Sequence, residues 1–379
     1  MSLFGEEIED NGFDDGDLTP AVMPTDTLQP PQSSSLLLGH EQIEHNILSL
    51  WQSGRMPHAL VLNGLKGIGK STFAYRLARF VMKESEGGDA GGLFGEDVAP
   101  TSLDTPPDHS VFSKIASGGH PDMMVITRPF DDRKGQYKDD IPVDTIRKVA
   151  PFLRKTSSNG GWRVVIIDDA NTMNRNGQNA LLKILEEPPK NALLILVTHG
   201  AGGLLPTIRS RCRFVAFDKL DDNHITTLLN KAADGHVMPT DADIVTSLAE
   251  GSAGQAIELY QEGGVEAVNI LLGALAQIHD MSEAQIDALA LFYGKSGDSK
   301  IIDKFTFILN WWFEKLIHLA AQGLKTTQVG GIDIVIPTGH DLKSLLQLHE
   351  DVEAHIQTCI NGNLDKRYMI YKTLRMVQK

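Results

Sequence analysis

Residues 61–74 form a glycine-rich stretch that ends in lysine and serine, VLNGLKGIGKSTFA. The residues that match the pattern G-x-x-x-x-G-K-[ST] are Gly64, Gly69, Lys70 and Ser71. Backbone N–H groups of such a loop surround phosphate oxygens at the positive end of the following helix. The lysine adds a charge for the outer phosphates, and the serine hydroxyl is a ligand for Mg²⁺. The stretch predicts a phosphate loop, although a glycine turn before a core helix fits the same pattern.

Two aspartates end the β-branched run at residues 163–167. We predict that this run is a strand beside the phosphate loop and that Asp168 and Ser71 share the Mg²⁺ ion. The alternative is that Asp168 only caps a helix. Asp169 lies where nucleotide hydrolases of this layout usually have a glutamate that orients water. Aspartate is one methylene shorter, so we expect weak or no hydrolysis at this site, while its nucleotide binding stays open.

Arg209 and Arg211 flank Ser210 just before Cys212. An arginine on a loop after a sheet is most often a surface residue, but it can also reach the γ-phosphate of a neighbouring subunit. The spacing alone does not separate these interpretations. No histidine and asparagine pattern supports Cys212 as a nucleophile, so we interpret this cysteine as buried and structural.

Alternating strands and helices surround these residues. Strands are predicted at 59–62, 123–126, 163–167, 193–198 and 213–217, and helices at 72–82, 141–155 (with Asp144 as N-cap) and 178–187. Residues 83–119 lack periodicity and are interpreted as a long loop. This order predicts a doubly wound α/β domain with a parallel sheet. After Leu220 we expect helices only.

Composition and net charge limit the classes of protein to which the chain can belong. The chain has 379 residues, 41% apolar content, two cysteines and a net charge of −14. Eight acidic residues and no lysine or arginine lie within residues 1–27, which leaves −6 on the rest, so bulk charge decides little about nucleic acid. There is no secretory signal and no run long enough to cross a bilayer, so we expect no membrane association and a reducing cytoplasm.

We predict four regions. Residues 1–34 are interpreted as a disordered acidic tail, 35–218 as the nucleotide-binding domain, 219–264 as a small helical lid and 265–379 as an all-α domain.

Several segments resemble one family: QNALLKILEEPP (178–189), LVTHGAGGLLPTIRSRC (196–212), His120-Pro121-Asp122 and NLDKR (363–367). They are similar to the delta-prime subunit family of the bacterial DNA polymerase III clamp loader. The resemblance implies an AAA+ P-loop domain, a helical lid and a C-terminal helical collar within a five-subunit ring. It implies that Arg211 is an arginine finger acting in trans on ATP bound to the adjacent motor subunit.

The same resemblance implies the partners and ligands. The expected partners are the gamma/tau and delta subunits, with the sliding clamp and primed DNA reached through the complex, in the bacterial cytoplasm. The ligand would be ATP or ADP with Mg²⁺, bound by Gly64, Gly67, Gly69, Lys70, Ser71 and Thr72.

Departures from the motor subunit of the same family favour delta-prime. Asp169 replaces the glutamate, Gln255 stands where a sensing arginine is expected, and residues 83–119 contain no cysteine, so no zinc is expected. The alternatives are a gamma/tau-type motor or another autonomous AAA+ ATPase, and a nucleotide-dependent scaffold without a role at DNA.

Overall fold

The computed structural model describes residues 29–87, 99–131, 136–158, 160–200, 202–233, 235, 237–261, 264–294, 299–337 and 339–378. The predicted acidic tail therefore lies outside the described residues as far as residue 28.

A five-stranded parallel sheet forms the centre of the N-terminal half. The described part of this half has seven strands, of which five belong to the parallel sheet. In chain order they are β1 (Ala59–Gly64), β2 (Met123–Ile126), β3 (Phe130–Asp131), β4 (Gln136–Tyr137), β5 (Arg163–Ile167), β6 (Ala192–His199) and β7 (Arg213–Ala216). The parallel sheet has the order β2-β5-β6-β1-β7, whereas β3 and β4 form a separate antiparallel hairpin. The predicted strands are confirmed, but β5 is not the neighbour of β1, because β6 lies between them.

Helices cover both faces of this sheet. They are α1 (Glu41–Gln52), α2 (Lys70–Gly87), α3 (Ser110–Ala116), α4 (Val143–Ile146), α5 (Val149–Arg154), α6 (Arg175–Glu186) and α7 (Pro206–Arg209). Successive residues of a strand point to opposite faces. Leu60 and Leu62 thus join a core with α1, α2 and α3, while Ala59 and Val61 join a second core with α4, α5 and α6. The two-sided burial explains the unbroken apolar runs and confirms the α/β prediction.

The C-terminal half is mainly helical. Its helices are α8 (Asp222–Ala232), α9 (Pro239–Ala249), α10 (Ala253–Tyr260), α11 (Gly264–Ala276), α12 (Glu283–Tyr293), α13 (Ser299–Gln322), α14 (Leu342–Asn361) and α15 (Lys366–Gln378). One continuous apolar cluster runs from Leu220 to Val377 and includes residues of both the predicted lid and the predicted collar. The division of this half into two domains therefore stays a prediction. Among the described helices, none has the length and apolarity needed to cross a membrane.

Three local predictions need correction. A hairpin, β8 (Thr326–Val329) and β9 (Ile332–Val335), follows α13, so strands do not stop at Leu220. The predicted loop 83–119 contains the end of α2 and all of α3. The helix predicted at 141–155 is divided into α4 and α5, and the N-cap position is occupied by Pro142, with Asp144 inside the first turn.

The boundary of the predicted tail also moves. Residues 29–38, here called the N-terminal segment, pack against α2 and the lid rather than remaining disordered up to residue 34. The guanidinium of Arg79, which is 1% exposed, donates to the carbonyls of Gln32 (2.9 Å) and Ser34 (2.6 Å). Leu36 and Leu38 pack against the helical cluster. The segment is ordered because it satisfies a buried cation and covers apolar surface.

Candidate functional site: a phosphate loop under a helical lid

The phosphate loop lies between β1 and α2, as predicted. Gly67 and Gly69 have φ values of 78° and 100°, a region that L side chains rarely adopt. Lys70 is 2% exposed, and its ammonium group donates to the carbonyls of Gly64 (2.9 Å) and Leu65. The side chain is therefore folded back onto the loop that would cradle the phosphates.

Burial changes the acidity of Lys70. Loss of hydration lowers the pKa of its ammonium group from 10.5 to about 8, and the nearby Asp168 and Asp169 carboxylates only partly oppose this effect. A bound phosphate would restore the charge that burial disfavours. Burial is thus the main cause of the lowered pKa, and an anion at the loop would favour the charged form of Lys70.

Ser71 and Asp168 meet at this loop. The Ser71 hydroxyl donates to Asp168 Oδ2 at 2.9 Å, although β6 separates the strands. Hydroxyl and carboxylate oxygens are ligands that Mg²⁺ prefers, and Mg²⁺ commonly takes its remaining ligands from substrate phosphates and water. The residues present fit that ion, and the described part of the chain holds no group of three or more His, Cys, Asp or Glu able to bind a metal by itself.

Asp169 is partly buried and paired with two side chains of the same chain. It adopts a left-handed backbone with φ 63°, and its two carboxylate oxygens lie 2.7 Å from Arg128 Nε and 3.3 Å from His199 Nε2. Burial, followed by the charge of Lys70, lowers the pKa of His199. The carboxylate that could orient a water molecule is therefore paired with an arginine of its own chain.

The lid contacts the phosphate loop directly. Ser252 Oγ donates to the carbonyl of Lys66 at 2.8 Å and also accepts the N–H of Gln255, which caps α10. The N–H of Gly254 donates to the carbonyl of Gly67 at 2.8 Å. A Cβ atom added at Gly254 would lie 2.8 Å from Gly67 Cα, closer than real Cβ contacts. The loop and the start of α10 are thus in backbone contact.

Two cavities open on the two sides of this contact. One, of about 410 Å³, is lined by Arg128, Asp169, His199 and Gln255, among others. The other, of about 510 Å³, is mostly apolar and lies between the N-terminal segment, the phosphate loop and α8 and α10. Thr72 lines the second cavity, and Ser71 lines both. The loop residues predicted to hold the phosphates, Gly69, Lys70 and Thr72, line the second cavity, whereas Asp168 and Asp169 line the first.

Arg211 lies elsewhere. It does not line either cavity, its side chain is 36% exposed, and it contacts Glu186, Thr207 and Ser210. Cys212 is half-buried against the second sheet core, and burial raises the pKa of its thiol to about 12, consistent with a structural cysteine.

Sequence reasoning missed several residues of the site. Arg128 follows β2 and His199 ends β6, at the same edge of the sheet as Asp168. Polar residues at the carboxyl ends of parallel strands are a recognisable signal. No comparable pattern in the sequence predicts the contact between Ser252 and the phosphate loop. The same is true of the N-terminal segment, which lines the second cavity.

The sheet order, the phosphate loop, the Ser71–Asp168 pair and the helical lid together define the AAA+ class of P-loop proteins. Within that class, residues 39–221 match the family model described as "DNA polymerase III, delta subunit". Over this region the chain is similar to DNA polymerase III delta-prime subunits.

Individual relatives show the same similarity. The chain is 30% identical over 233 residues to DNA polymerase III subunit delta' of Escherichia coli (strain K12), covering 61% of this chain and 62% of the relative. It is 37% identical over 155 residues to subunit delta' of Pseudomonas aeruginosa, covering 41% of each. It is 28% identical over 234 residues to subunit gamma of Buchnera aphidicola subsp. Schizaphis graminum, covering 61% of this chain and 58% of the relative. The chain thus spans less than two thirds of each relative.

Proposed function

We propose that this chain is a clamp-loader subunit of a bacterial DNA polymerase III. It would act in a cytoplasmic ring with gamma/tau and delta subunits and help to load the sliding clamp onto primed DNA. Within the ring, Arg211 would contact ATP held by the adjacent motor subunit.

The position of Arg211 carries this proposal. Its side chain is 36% exposed on the loop before β7, outside the cavities around the phosphate loop of its own chain. An arginine finger must be able to reach a phosphate that its own phosphate loop does not hold, and a finger supplied in trans accelerates hydrolysis about 10³- to 10⁵-fold. A partly exposed arginine side chain beside the edge strand β7 is compatible with this requirement.

The phosphate loop of this chain would bind ATP or ADP with Mg²⁺ and turn it over slowly or not at all. Lys70 and the loop glycines would hold the phosphates, and Ser71 and Asp168 would hold the ion, which neutralises phosphate charge. Two features oppose turnover: the Asp169 carboxylate is paired with Arg128, and Gln255, which lines the same cavity as Asp169, has a neutral amide. The isolated chain should therefore retain nucleotide without consuming it.

The test is reconstitution with the other loader subunits, the clamp and primed DNA. The chain should co-purify with those subunits and restore clamp loading. Arg211→Ala should lower the DNA-dependent ATPase rate of the complex at least about tenfold without changing assembly or the melting temperature. Arg209→Ala is the matched control, because Arg209 is also an exposed arginine but packs over the Phe214 ring. An unchanged rate with Arg211→Ala would refute the role in trans.

A gamma/tau-type motor is the second candidate, and the intact Lys70, Ser71 and Asp168 arrangement favours it. The two candidates differ in the isolated chain. Rapid ATP turnover that Lys70→Ala abolishes would support the motor and contradict the delta-prime-type role.

A further inference from the structure

Arg211 is held by groups at the C-terminal ends of two helices. Its Nη1 atom donates to the carbonyl of Thr207 at 2.9 Å and to Ser210 Oγ at 3.2 Å, and its Nη2 atom lies 3.0 Å from Glu186 Oε1. Thr207 belongs to α7, and Glu186 is the last residue of α6. Helix C-termini carry partial negative charge, which favours a guanidinium at this place.

These contacts leave part of the guanidinium unused. Arginine has five N–H donors in a fixed fork, and the three contacts seen among the described residues use three of them. Glu186 approaches through one oxygen only, so it restrains the orientation of the fork without filling it. Two donors therefore stay available for a phosphate.

We propose that Glu186 is a positioning residue for Arg211, which fixes the guanidinium on one edge while its other edge meets the triphosphate of the neighbouring subunit. This inference rests on the proposed function. Arginine has a large rotamer entropy, and a side chain that is already restrained loses less of it when it contacts the phosphate. The carboxylate acts through Arg211 and does not itself touch the nucleotide.

The test compares Glu186→Ala and Glu186→Gln in the reconstituted complex with Glu187→Ala as matched control. Glu187 is the next residue, is also exposed and carries the same charge, but it has no side-chain contact with Arg211 among the described residues. Glu186→Ala should lower kcat of the complex about three- to tenfold with KM for ATP unchanged, because the motor subunit still binds the nucleotide. Glu186→Gln, which retains an acceptor oxygen, should recover part of the rate, and Glu187→Ala should leave it unchanged.

A double variant separates positioning from a general effect on folding. In an Arg211→Ala background, Glu186→Ala should have no further effect on kcat, because the residue it positions is gone. An equal additional loss in that background, or a rate for Glu186→Ala equal to or above that of the unmodified chain, would overturn the inference. If Arg211→Ala lowers the rate and Glu186→Ala does not, positioning by Glu186 fails and the proposed function stands. If Arg211→Ala has no effect, both fail.

Discussion

The Ser71 hydroxyl donates a 2.9 Å hydrogen bond to Asp168 although the strands leading to these residues are not neighbours. Ser71 lies in the first turn of α2, after β1, and Asp168 follows β5, with β6 between the two strands. All strands of the sheet run parallel, so their carboxyl ends gather at one edge. The intervening strand sets the spacing that lets a hydroxyl and a carboxylate share one small site.

Removing the charge of Asp168 should leave nucleotide binding without Mg²⁺ nearly unchanged but reduce the increase in affinity that Mg²⁺ causes. With Asp168→Asn, we expect the affinity for ADP without Mg²⁺ to stay within about twofold, while the gain from added Mg²⁺ falls about tenfold or more. Titration calorimetry with and without Mg²⁺ measures both values. Asp218→Asn is a control outside the site. Full retention of the Mg²⁺ effect in Asp168→Asn would exclude this carboxylate as a ligand.

The affinity for nucleotide should fall as pH rises through about 8. Burial lowers the pKa of Lys70 to about 8, and the charged ammonium is the form that attracts phosphate. Above this pH the affinity should decrease by up to about tenfold per pH unit. Equilibrium binding of a fluorescent ADP analogue between pH 7 and 9.5 measures this, and Lys70→Gln should bind weakly with a flat profile over the same range.

The lowered pKa of Lys70 also predicts that the free energy of unfolding of the ligand-free chain rises with pH. Between pH 8 and the ordinary pKa of 10.5, the unfolded chain binds more protons at Lys70 than the folded chain does. The contribution of Lys70 to the free energy of unfolding therefore rises with pH across that window. Urea titrations of the unmodified chain and Lys70→Gln should show a difference that changes with pH in this direction. A difference that is constant from pH 7 to 10 would count against the lowered pKa.

Loss of the Ser252 hydroxyl should loosen the lid at the phosphate loop. Ser252 caps α10 and also donates to Lys66, whereas Ser282 caps α12 and, among the described residues, contacts only that helix. Replacing either serine by alanine should cost about 1 kcal/mol of unfolding free energy. Only Ser252→Ala should also speed amide hydrogen exchange around Gly67, because only this serine contacts the loop. Equal exchange in both variants would mean that the hydroxyl contact does not hold the lid.

Removing the Arg79 guanidinium should detach the N-terminal segment. Arg79 donates to Gln32 and Ser34 and stacks over the Phe112 ring at 4.5 Å, and burial lowers its pKa to about 10. Arg79→Ala should lower the free energy of unfolding by about 2 to 4 kcal/mol and expose residues 29–38 to proteases. The exposed Arg55 is the control, and Arg55→Ala should change stability by less than about 0.5 kcal/mol. Unaltered cleavage in Arg79→Ala would show that other contacts hold the segment.

The sequence predicted those structural features that depend on residues close together in the chain. The phosphate loop, the buried strand that ends at Asp168 and the cap of α10 at Ser252 depend on neighbours in the chain, and each was predicted or has an evident local pattern. The order of the sheet could not be predicted, because it depends on which distant strand pairs with β1. The pairing of Asp169 with Arg128 and His199 likewise joins three separate segments.

One of the incorrect predictions had a usable signal in the sequence, and another had none. The stretch TTQVGGIDIV alternates polar and apolar residues around Gly330 and Gly331, which is a strong hairpin pattern that the general helical character of the C-terminal half obscured. Residues 29–34 are polar and rich in proline, which favours disorder, but the buried arginine that binds their carbonyls lies far along the chain. Composition cannot report such a contact.

The contact between Gly67 and Gly254 has a consequence for the evolution of this chain. A methyl group at position 67 would lie 2.4 Å from Ser252 Oγ, and one at position 254 would lie 2.8 Å from Gly67 Cα. Neither position can acquire a side chain while the phosphate loop and the start of α10 stay in this contact. Related sequences that keep the contact should therefore keep glycine at both positions.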